Sequence, residues 1–363
     1  MRKVLVLMSG GIDSSVAVAL LKKEGFEVIG AFMELANLPR FDEAKERAQK
    51  VAKILKIPFY VFNLEKEFKK KIIDYFLKEY KAGNTPNPCV LCNKEIKFGL
   101  ILEKALSLDV DFVATGHYAR IKEIRNKELG IREFKLLRAK DKNKDQSYFL
   151  WMLNQEQLKR ILFPIGNYTK EEVRNFARKF NLPLLKVKKS VEICFIEKTV
   201  SDFLRKYLKE KPGKIVDTQG KVLGEHRGLW FYTISQRKGI GLSGGPWWVV
   251  DKDLKKNLLI VTKTEKDLLK KELFCKDVNW ISGKEPKLPL EAKAKIRYKT
   301  DFVKVAIHST FAHLRKFANI KNKIYKVIFE KPQRAITPGQ SVVFYKGEEI
   351  LGGGIICDLR GRC

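Results

Sequence analysis

The stretch Val4-Leu5-Val6-Leu7-Met8-Ser9-Gly10-Gly11-Ile12-Asp13-Ser14-Ser15 reads as a buried strand that turns into a helix through a glycine–serine loop. The glycines let backbone amides turn inward with no Cβ in the way. The serines add hydroxyls, and the new helix offers its positive N-terminal end. Together they make a cradle for a phosphate or pyrophosphate. No Gly-Lys-Ser/Thr follows, which excludes a Walker A loop. The glycine spacing also excludes the dinucleotide fingerprint.

Outward from this loop, apolar runs at 27–33, 59–63 and 111–115 alternate with helical patterns at 14–24, 41–55, 67–80 and 94–106. Strands separated by helices predict a parallel sheet covered on both faces. A further helix is expected at 170–180. Beyond about residue 212 the texture changes to short β-like runs at 214–217, 247–250 and 258–261. The runs at 292–298, 303–308, 324–329, 341–345 and 350–356 suggest a small barrel. The expected fold class is α/β, with an N-terminal parallel-sheet catalytic domain over 1–198, a small central domain over 199–271 and a C-terminal β-barrel over 272–363.

The 363 residues carry a formal net charge of +31, which points to a polyanionic partner. No apolar run approaches the ~20 residues of a membrane span, and no basic amphipathic helix stands out. Met1-Arg2-Lys3 leads directly into the first strand without a leader pattern. The expectation is a cytoplasmic protein that binds nucleic acid and no membrane.

Six cysteines in this length do not make a disulfide scaffold. Cys89 and Cys92 lie in Thr85-Pro86-Asn87-Pro88-Cys89-Val90-Leu91-Cys92-Asn93-Lys94, a proline-braced loop before a predicted helix. A helix N-terminus with Lys94 and Lys97 nearby predicts a lowered thiol pKa. Cys194, in Ile193-Cys194-Phe195, is the third thiol of interest. Three chemistries remain open: a sulfur relay between Cys92 and Cys194, an iron–sulfur cluster on Cys89, Cys92 and Cys194, or zinc. Three thiolates would leave one iron of a cluster open to external sulfide. Zinc wants four ligands and finds no second pair. Cys275, Cys357 and Cys363 are expected to be unrelated to the site.

The loop SGGIDSS resembles that of the PP-loop ATP pyrophosphatases, which adenylate a substrate and release pyrophosphate. With TPNPCVLCNKEIKF at 85–98, ATGHYAR at 114–120, KDQSYFL at 144–150, EICFI at 192–196, GEHRGLWFYTISQRKGIGL at 224–242, WVVDKD at 248–253, ITPGQSVVFY at 336–345 and LGGGII at 351–356, the whole chain resembles the tRNA-specific 2-thiouridylases. The resemblance implies 2-thiolation of the wobble uridine in tRNAs for Lys, Glu and Gln. It implies that Leu7, Met8, Ser9, Gly10, Gly11, Ile12, Asp13 and Ser14 bind ATP, with Met33 and Gly116 in the same pocket. Asn87, Pro88 and Cys89 would approach the target base. Cys92 would be the nucleophile and Cys194 the persulfide carrier. Lys144, Asp145, Gln146, Arg297 and Tyr298 would contact tRNA. Where this chain has Cys89 the family usually has Asp, and the chain is shorter after Met33. The extra thiol favours a [4Fe-4S] cluster on Cys89, Cys92 and Cys194.

The chemistry expected is an adenylated base. Attack of uracil O2 on the α-phosphate turns a poor leaving group into AMP. Mg²⁺ would bridge phosphates, with Asp13 either its ligand or a helix cap. Sulfur would come from a donor protein or free sulfide. His117 is either a nucleotide contact or a structural histidine, and Gln236-Arg237-Lys238-Gly239 is a basic loop near RNA or a solvated turn. The competing functions are a PP-loop amide-forming ligase or lysidine-type enzyme, and an RNA-binding protein without catalysis.

Overall fold

Alternation decides the first layer. In β1 (Lys3–Leu7), Val4 and Val6 enter one core and Leu5 and Leu7 another, and all four are buried. A strand buried on both faces belongs in the middle of a parallel sheet. The structure is a computed structural model that describes residues 1–126, 131–183, 193–310 and 323–358. Its first sheet joins β1 to β2 (Glu27–Glu34), β3 (Phe59–Asn63) and β4 (Phe112–Thr115). After the hairpin of β5 (Ala119–Asn126) and β6 (Ile131–Arg138), β7 (Ile161–Leu162) completes that sheet. The order is β3-β2-β1-β4-β7, with every pairing parallel.

One face of the sheet packs on α1 (Ile12–Lys23), α2 (Pro39–Ile54) and the helix Lys170–Lys179. The last starts with a capping box between Thr169 and Glu172, which satisfies two orphan donors at once. The other face packs on the helical stretches 65–81 and 88–107. Pro88 opens the second of these at the helix start, where its missing N–H costs nothing. The helix expected from 94 therefore begins six residues earlier. Its middle, Asn93–Leu100, is π-helical.

The central unit is a four-stranded sheet ordered β10 (Trp248–Asp253), β11 (Leu258–Thr262), β8 (Gly213–Val216) and β9 (Val222–His226), with its own small core. The C-terminal unit is a closed barrel of β12 (Leu269–Trp280), β15 (Tyr325–Arg334), β14 (Val303–Ser309), β13 (Leu290–Lys295), β16 (Ser341–Lys346) and β17 (Glu349–Cys357). Pairing of β12 with β17 closes it, which leaves no free barrel edge.

The barrel continues into the N-terminal domain. β17 pairs with β6, so the hairpin β5–β6 extends the barrel sheet. Trp151 is fully buried, and its Nε1 donates to Ser341 Oγ at 3.0 Å. Asn279 Nδ2 donates to the carbonyls of Trp151 and Leu153. Val343 and Tyr345 of the barrel share the core beneath the first sheet. No helix among the described residues is long and apolar enough to cross a membrane.

Candidate active site

The neighbours β2, β1 and β4 end side by side, and ligands of open parallel sheets bind at that carboxyl edge. Met33 lies near the end of β2, Leu7 and Met8 at the end of β1, and Gly116 just past β4. The loop between β1 and α1 is stiffened by its own serines. Ser9 N donates to Ser14 Oγ at 3.1 Å, Ser14 Oγ to Gly11 O at 3.1 Å and Ser15 Oγ to Gly11 O at 2.9 Å. Gly11 holds the N-cap position, with no side chain bonded across it. The first amides of α1 thus remain open to an anion. Gly10 has φ +69, and a Cβ there would lie 2.3 Å from Ala44 O. A Cβ on Gly116 would lie 2.6 Å from Ser14 N, so the end of β4 backs directly onto the loop.

Of the two roles read in the sequence for Asp13, the structure removes the helix cap, which is Gly11. Asp13 Oδ1 accepts from Lys170 Nζ at 2.6 Å and from Tyr118 Oη at 2.8 Å. Nothing in the sequence near Asp13 signals Lys170, which lies 157 positions away. Arg47 Nε reaches Gly10 O at 3.4 Å and adds a second cation beside the loop.

Cys89 and Cys92 sit on the helical turn Pro88–Cys92, Cys89 half-buried and Cys92 buried. Cys194 is exposed on a turn ahead of the helix Val200–Tyr207. That turn is anchored by Phe195, whose ring lies 5.3 Å from Phe76 and 5.2 Å from Phe203. Arg40 Nη1 also donates to Ile196 O at 3.1 Å. The expectation of a lowered thiol pKa is overturned. Burial pushes the Cys92 thiol up to about 11, outweighing the downward pull of Lys97. Burial raises Cys89 too, against the same lysine. At Cys194 crowding by the protein, then the charges of Cys92 and Cys89, push upward. The residue as a whole is exposed on its turn, so nearby water softens this upward push. The three sulfurs nonetheless feel one another. Lys94 is paired with Glu95, whereas Lys97 has no hydrogen bond or ion pair among the described residues.

His117 connects the two halves. It follows Gly116, and its ring centroid is 6.1 Å from that of Phe98 on the cysteine-bearing helix. Its Nδ1 bonds Thr115 Oγ1 at 2.7 Å, and burial, then Lys97, holds it well below the usual histidine pKa. It is a neutral imidazole at physiological pH.

The residues expected at the RNA separate into two kinds. Lys144 is exposed and fits a phosphate contact. Asp145 is buried, accepting from Arg138 Nε, Ala139 N and Ser147 N. Gln146 Oε1 accepts from Tyr118 N at 3.0 Å. Arg297 Nη2 donates to Thr337 Oγ1 at 2.7 Å and Ala335 O at 3.1 Å. Tyr298 lies 4.6 Å from Phe149, with Arg138 and Lys295 over neighbouring Phe302. Among the described residues, no three Cys, His, Asp or Glu side chains converge to hold a metal ion. Cys275 is buried in β12, and Cys363 lies outside the described residues. Cys357 is disulfide-bonded, which its sequence setting did not suggest.

Asn87 precedes the turn as its N-cap, and Pro88 is its first residue. The root of this loop is held from outside, which sequence reasoning missed. Thr85 N donates to Pro338 O at 2.8 Å, and Gln340 Nε2 donates to Thr85 O at 2.7 Å. Lys252 Nζ, buried in the central unit, donates to Gly83 O at 3.1 Å.

Fold and site together define a class: an α/β domain with a glycine–serine loop between its first strand and helix, a thiol-bearing helix and two β-rich units locked around it. Residues 2–198 match the family model for the tRNA methyl transferase HUP domain. Residues 201–263 match the tRNA methyl transferase PRC-barrel domain, and 270–356 the aminomethyltransferase beta-barrel domain. The chain is 45% identical over 367 residues to a tRNA-specific 2-thiouridylase of Geobacillus kaustophilus, covering 98% of this chain and 94% of that one. It is 44% identical over 355 residues to another from Syntrophomonas wolfei, covering 98% and 99%. The chain belongs to the tRNA-specific 2-thiouridylase family and is an enzyme of that family. Among solved structures, a U34-tRNA thiolase from Methanococcus maripaludis with its [4Fe-4S] cluster overlaps 52% of this chain and 60% of its own, at 19% identity and TM-score 0.34.

Proposed function

We propose that the protein uses ATP to replace O2 of uridine 34 in tRNA by sulfur, through an adenylated base. The observation that carries this is the bridge at Gly116–His117. One residue backs onto the phosphate loop and the next packs on the helix that bears Cys89 and Cys92. A base seated between them meets an activating phosphate on one side and sulfur on the other. O2 attacks the α-phosphate of ATP and pyrophosphate leaves. The open amides of α1, with Arg47 and Lys170 nearby, stabilise the charge on the departing pyrophosphate.

Sulfur then enters through Cys194 and Cys92. An exposed Cys194 suits loading by a persulfide donor protein, which passes its outer sulfur to the Cys194 thiolate and leaves as a thiol; free sulfide is at the wrong oxidation level to make this persulfide and belongs to the cluster reading. The terminal sulfur of the Cys194 persulfide attacks C2 and AMP departs with the oxygen. The Cys92 thiolate attacks Cys194 Sγ, the S–S bond breaks, and the electron pair stays on the sulfur now bound to C2. A Cys92–Cys194 disulfide remains for an external dithiol to reduce. His117, neutral beside the base, is able to exchange a proton during these steps.

The mutual influence of the three thiols favours a second reading, in which Cys89, Cys92 and Cys194 hold a [4Fe-4S] cluster. The donor set suits one, since three sulfurs leave a fourth corner free to bind sulfide. Among the described residues these three sulfurs do not converge into a ligand group. Mg²⁺ would accompany ATP, but Asp13 meets it already neutralised by Lys170.

Mass analysis of tRNA nucleosides tests the reaction, after anaerobic incubation with ATP, Mg²⁺ and either sulfide or a persulfide donor. The expected product is 2-thiouridine at position 34 in tRNAs of the Lys, Glu and Gln type. ATP–pyrophosphate exchange driven by an amino acid without tRNA, and no thionucleoside, would return the chain to the amide-forming ligases. Iron analysis of anaerobically purified protein separates the sulfur routes. A colourless, iron-free protein fully active with a persulfide donor removes the cluster.

A further inference from the structure

The central unit carries a loop that the reaction does not use. Residues 232–247 run between the short helical turn Leu229–Phe231 and β10. The loop's ends are pinned. Ser235 N donates to Val249 O at 2.7 Å, Val249 N to Gln236 O at 3.0 Å, and Thr233 N to Gln236 Oε1 at 3.0 Å. Ile240 is buried in the small core beneath. Above it lies a cavity of about 420 Å³ lined by Arg237, Leu242, Trp247 and the loop glycines. That is the size of a small-molecule or nucleotide subsite.

Three features make this cavity an anion and base receptor. First, none of the backbone N–H groups of residues 237–245 donates to a protein acceptor among the described residues. Gly239, Gly241 and Gly244 have φ of +74, +82 and +65, and nothing lies closer than 4.0 Å to where their Cβ atoms would be. Successive free amides in such turns form a concave nest for phosphate oxygens. Second, Arg237 and Lys238 are exposed and have no hydrogen-bonded or ion-pair partner for their side chains among the described residues. Third, Trp247 is held in place by its Nε1, which donates to Ser243 O at 2.9 Å, and Lys263 Nζ lies over the ring, 4.8 Å from its centre. A fixed indole with cations around it is a stacking platform for a base.

We infer that this loop is a second tRNA subsite, binding a nucleotide of the substrate with its phosphate on the loop amides and Arg237 and its base against Trp247. The inference rests on tRNA being the substrate. A chain of net charge +31 that grips RNA needs cations free of acidic partners, and this loop supplies two on one turn. The subsite lies outside the phosphate loop and the cysteine helix, so its role is affinity and register rather than chemistry.

The test measures binding of unmodified tRNA by the full-length protein across a salt series, for wild type, Arg237→Ala and Trp247→Leu. Arg237→Ala is expected to weaken binding and lower the slope of log K against log salt by about one, as loss of one phosphate contact does. Trp247→Leu is expected to weaken binding about tenfold with the slope unchanged, as loss of stacking does. Arg237 is exposed, so its variant folds even if Trp247→Leu does not. Wild-type affinity and slope in Arg237→Ala overturn the inference. Formation of 2-thiouridine by the wild type is followed in parallel. A wild type that thiolates tRNA while Arg237→Ala binds normally sinks the subsite alone. A wild type that makes no 2-thiouridine, yet binds tRNA in the Arg237-dependent way, sinks the reaction and leaves the subsite standing. A wild type with no affinity for tRNA sinks both.

Discussion

The phosphate loop and the cysteine loop, which the proposed function joins in one reaction, are built in opposite ways. Residues 9–15 stiffen themselves: Ser9, Ser14 and Ser15 bond to atoms within the same seven residues. The cysteine loop is held at its root by other units, through Pro338 and Gln340 of the barrel and Lys252 of the central sheet. A site made of local bonds can be read along the chain. A site made by docking cannot, because its partners lie 169 to 255 positions away.

The largest expected effect falls on the sulfurs. Cys92→Ser and Cys194→Ser each reduce 2-thiouridine formation by about 100-fold or more, since hydroxyls neither carry nor relay sulfur. Binding of tRNA stays within about twofold, because neither thiol is a phosphate contact. Near-normal product from either variant would move the sulfur step elsewhere. Next comes Gly10→Ala. The left-handed backbone at φ +69 and the 2.3 Å approach to Ala44 O force the loop off its path. Strain of about 1–3 kcal/mol is expected at such a position. ATP affinity, measured calorimetrically, falls while tRNA affinity holds. Equal loss of both would mean that the loop is not as self-contained as its bonds suggest.

These contrasts explain what was legible. The parallel sheet showed itself because β1 carries apolar residues without a break, and the glycine–serine loop because its chemistry is contiguous. β12 did not: Leu269, Lys270, Lys271 and Glu272 are exposed, and its pairing partners β15 and β17 lie far along the chain. The hairpin β5–β6 pairs locally and was missed, and what no local pattern signals is its link to the barrel through Glu349 and Leu137. The nearby-residue argument at Cys92 failed in a different way. Lys97 pulls its pKa down, but the helix starts at Pro88 rather than at Cys92, and the burial of Cys92 in the core beneath the first sheet is a tertiary fact. Desolvation won.

That failure has a pH signature. Alkylation of Cys92, followed site by site by mass spectrometry, is expected to accelerate about tenfold per pH unit, because only the thiolate reacts. The rise continues toward pH of about 11 without a plateau near neutrality. A plateau near pH 7 would restore the local reading of that helix over the buried one.

The smallest effect sharpens the comparison most. Gln340→Leu removes the bond from Nε2 to Thr85 O and leaves the main-chain bond from Thr85 N to Pro338 O in place. One neutral hydrogen bond contributes only about 0.5–1.5 kcal/mol, so the fold survives. The freedom gained sits at the root of Cys89 and Cys92 rather than in the barrel. Hydrogen exchange at residues 84–92 is therefore expected to quicken by about two- to tenfold, matching that bond energy. Residues 9–15 keep their wild-type rates, because the phosphate loop borrows nothing from the barrel. Turnover should drop with the cysteine loop while ATP affinity does not move. Should both loops loosen together, the two halves of the site are one mechanical unit, and the division between self-made and borrowed structure falls.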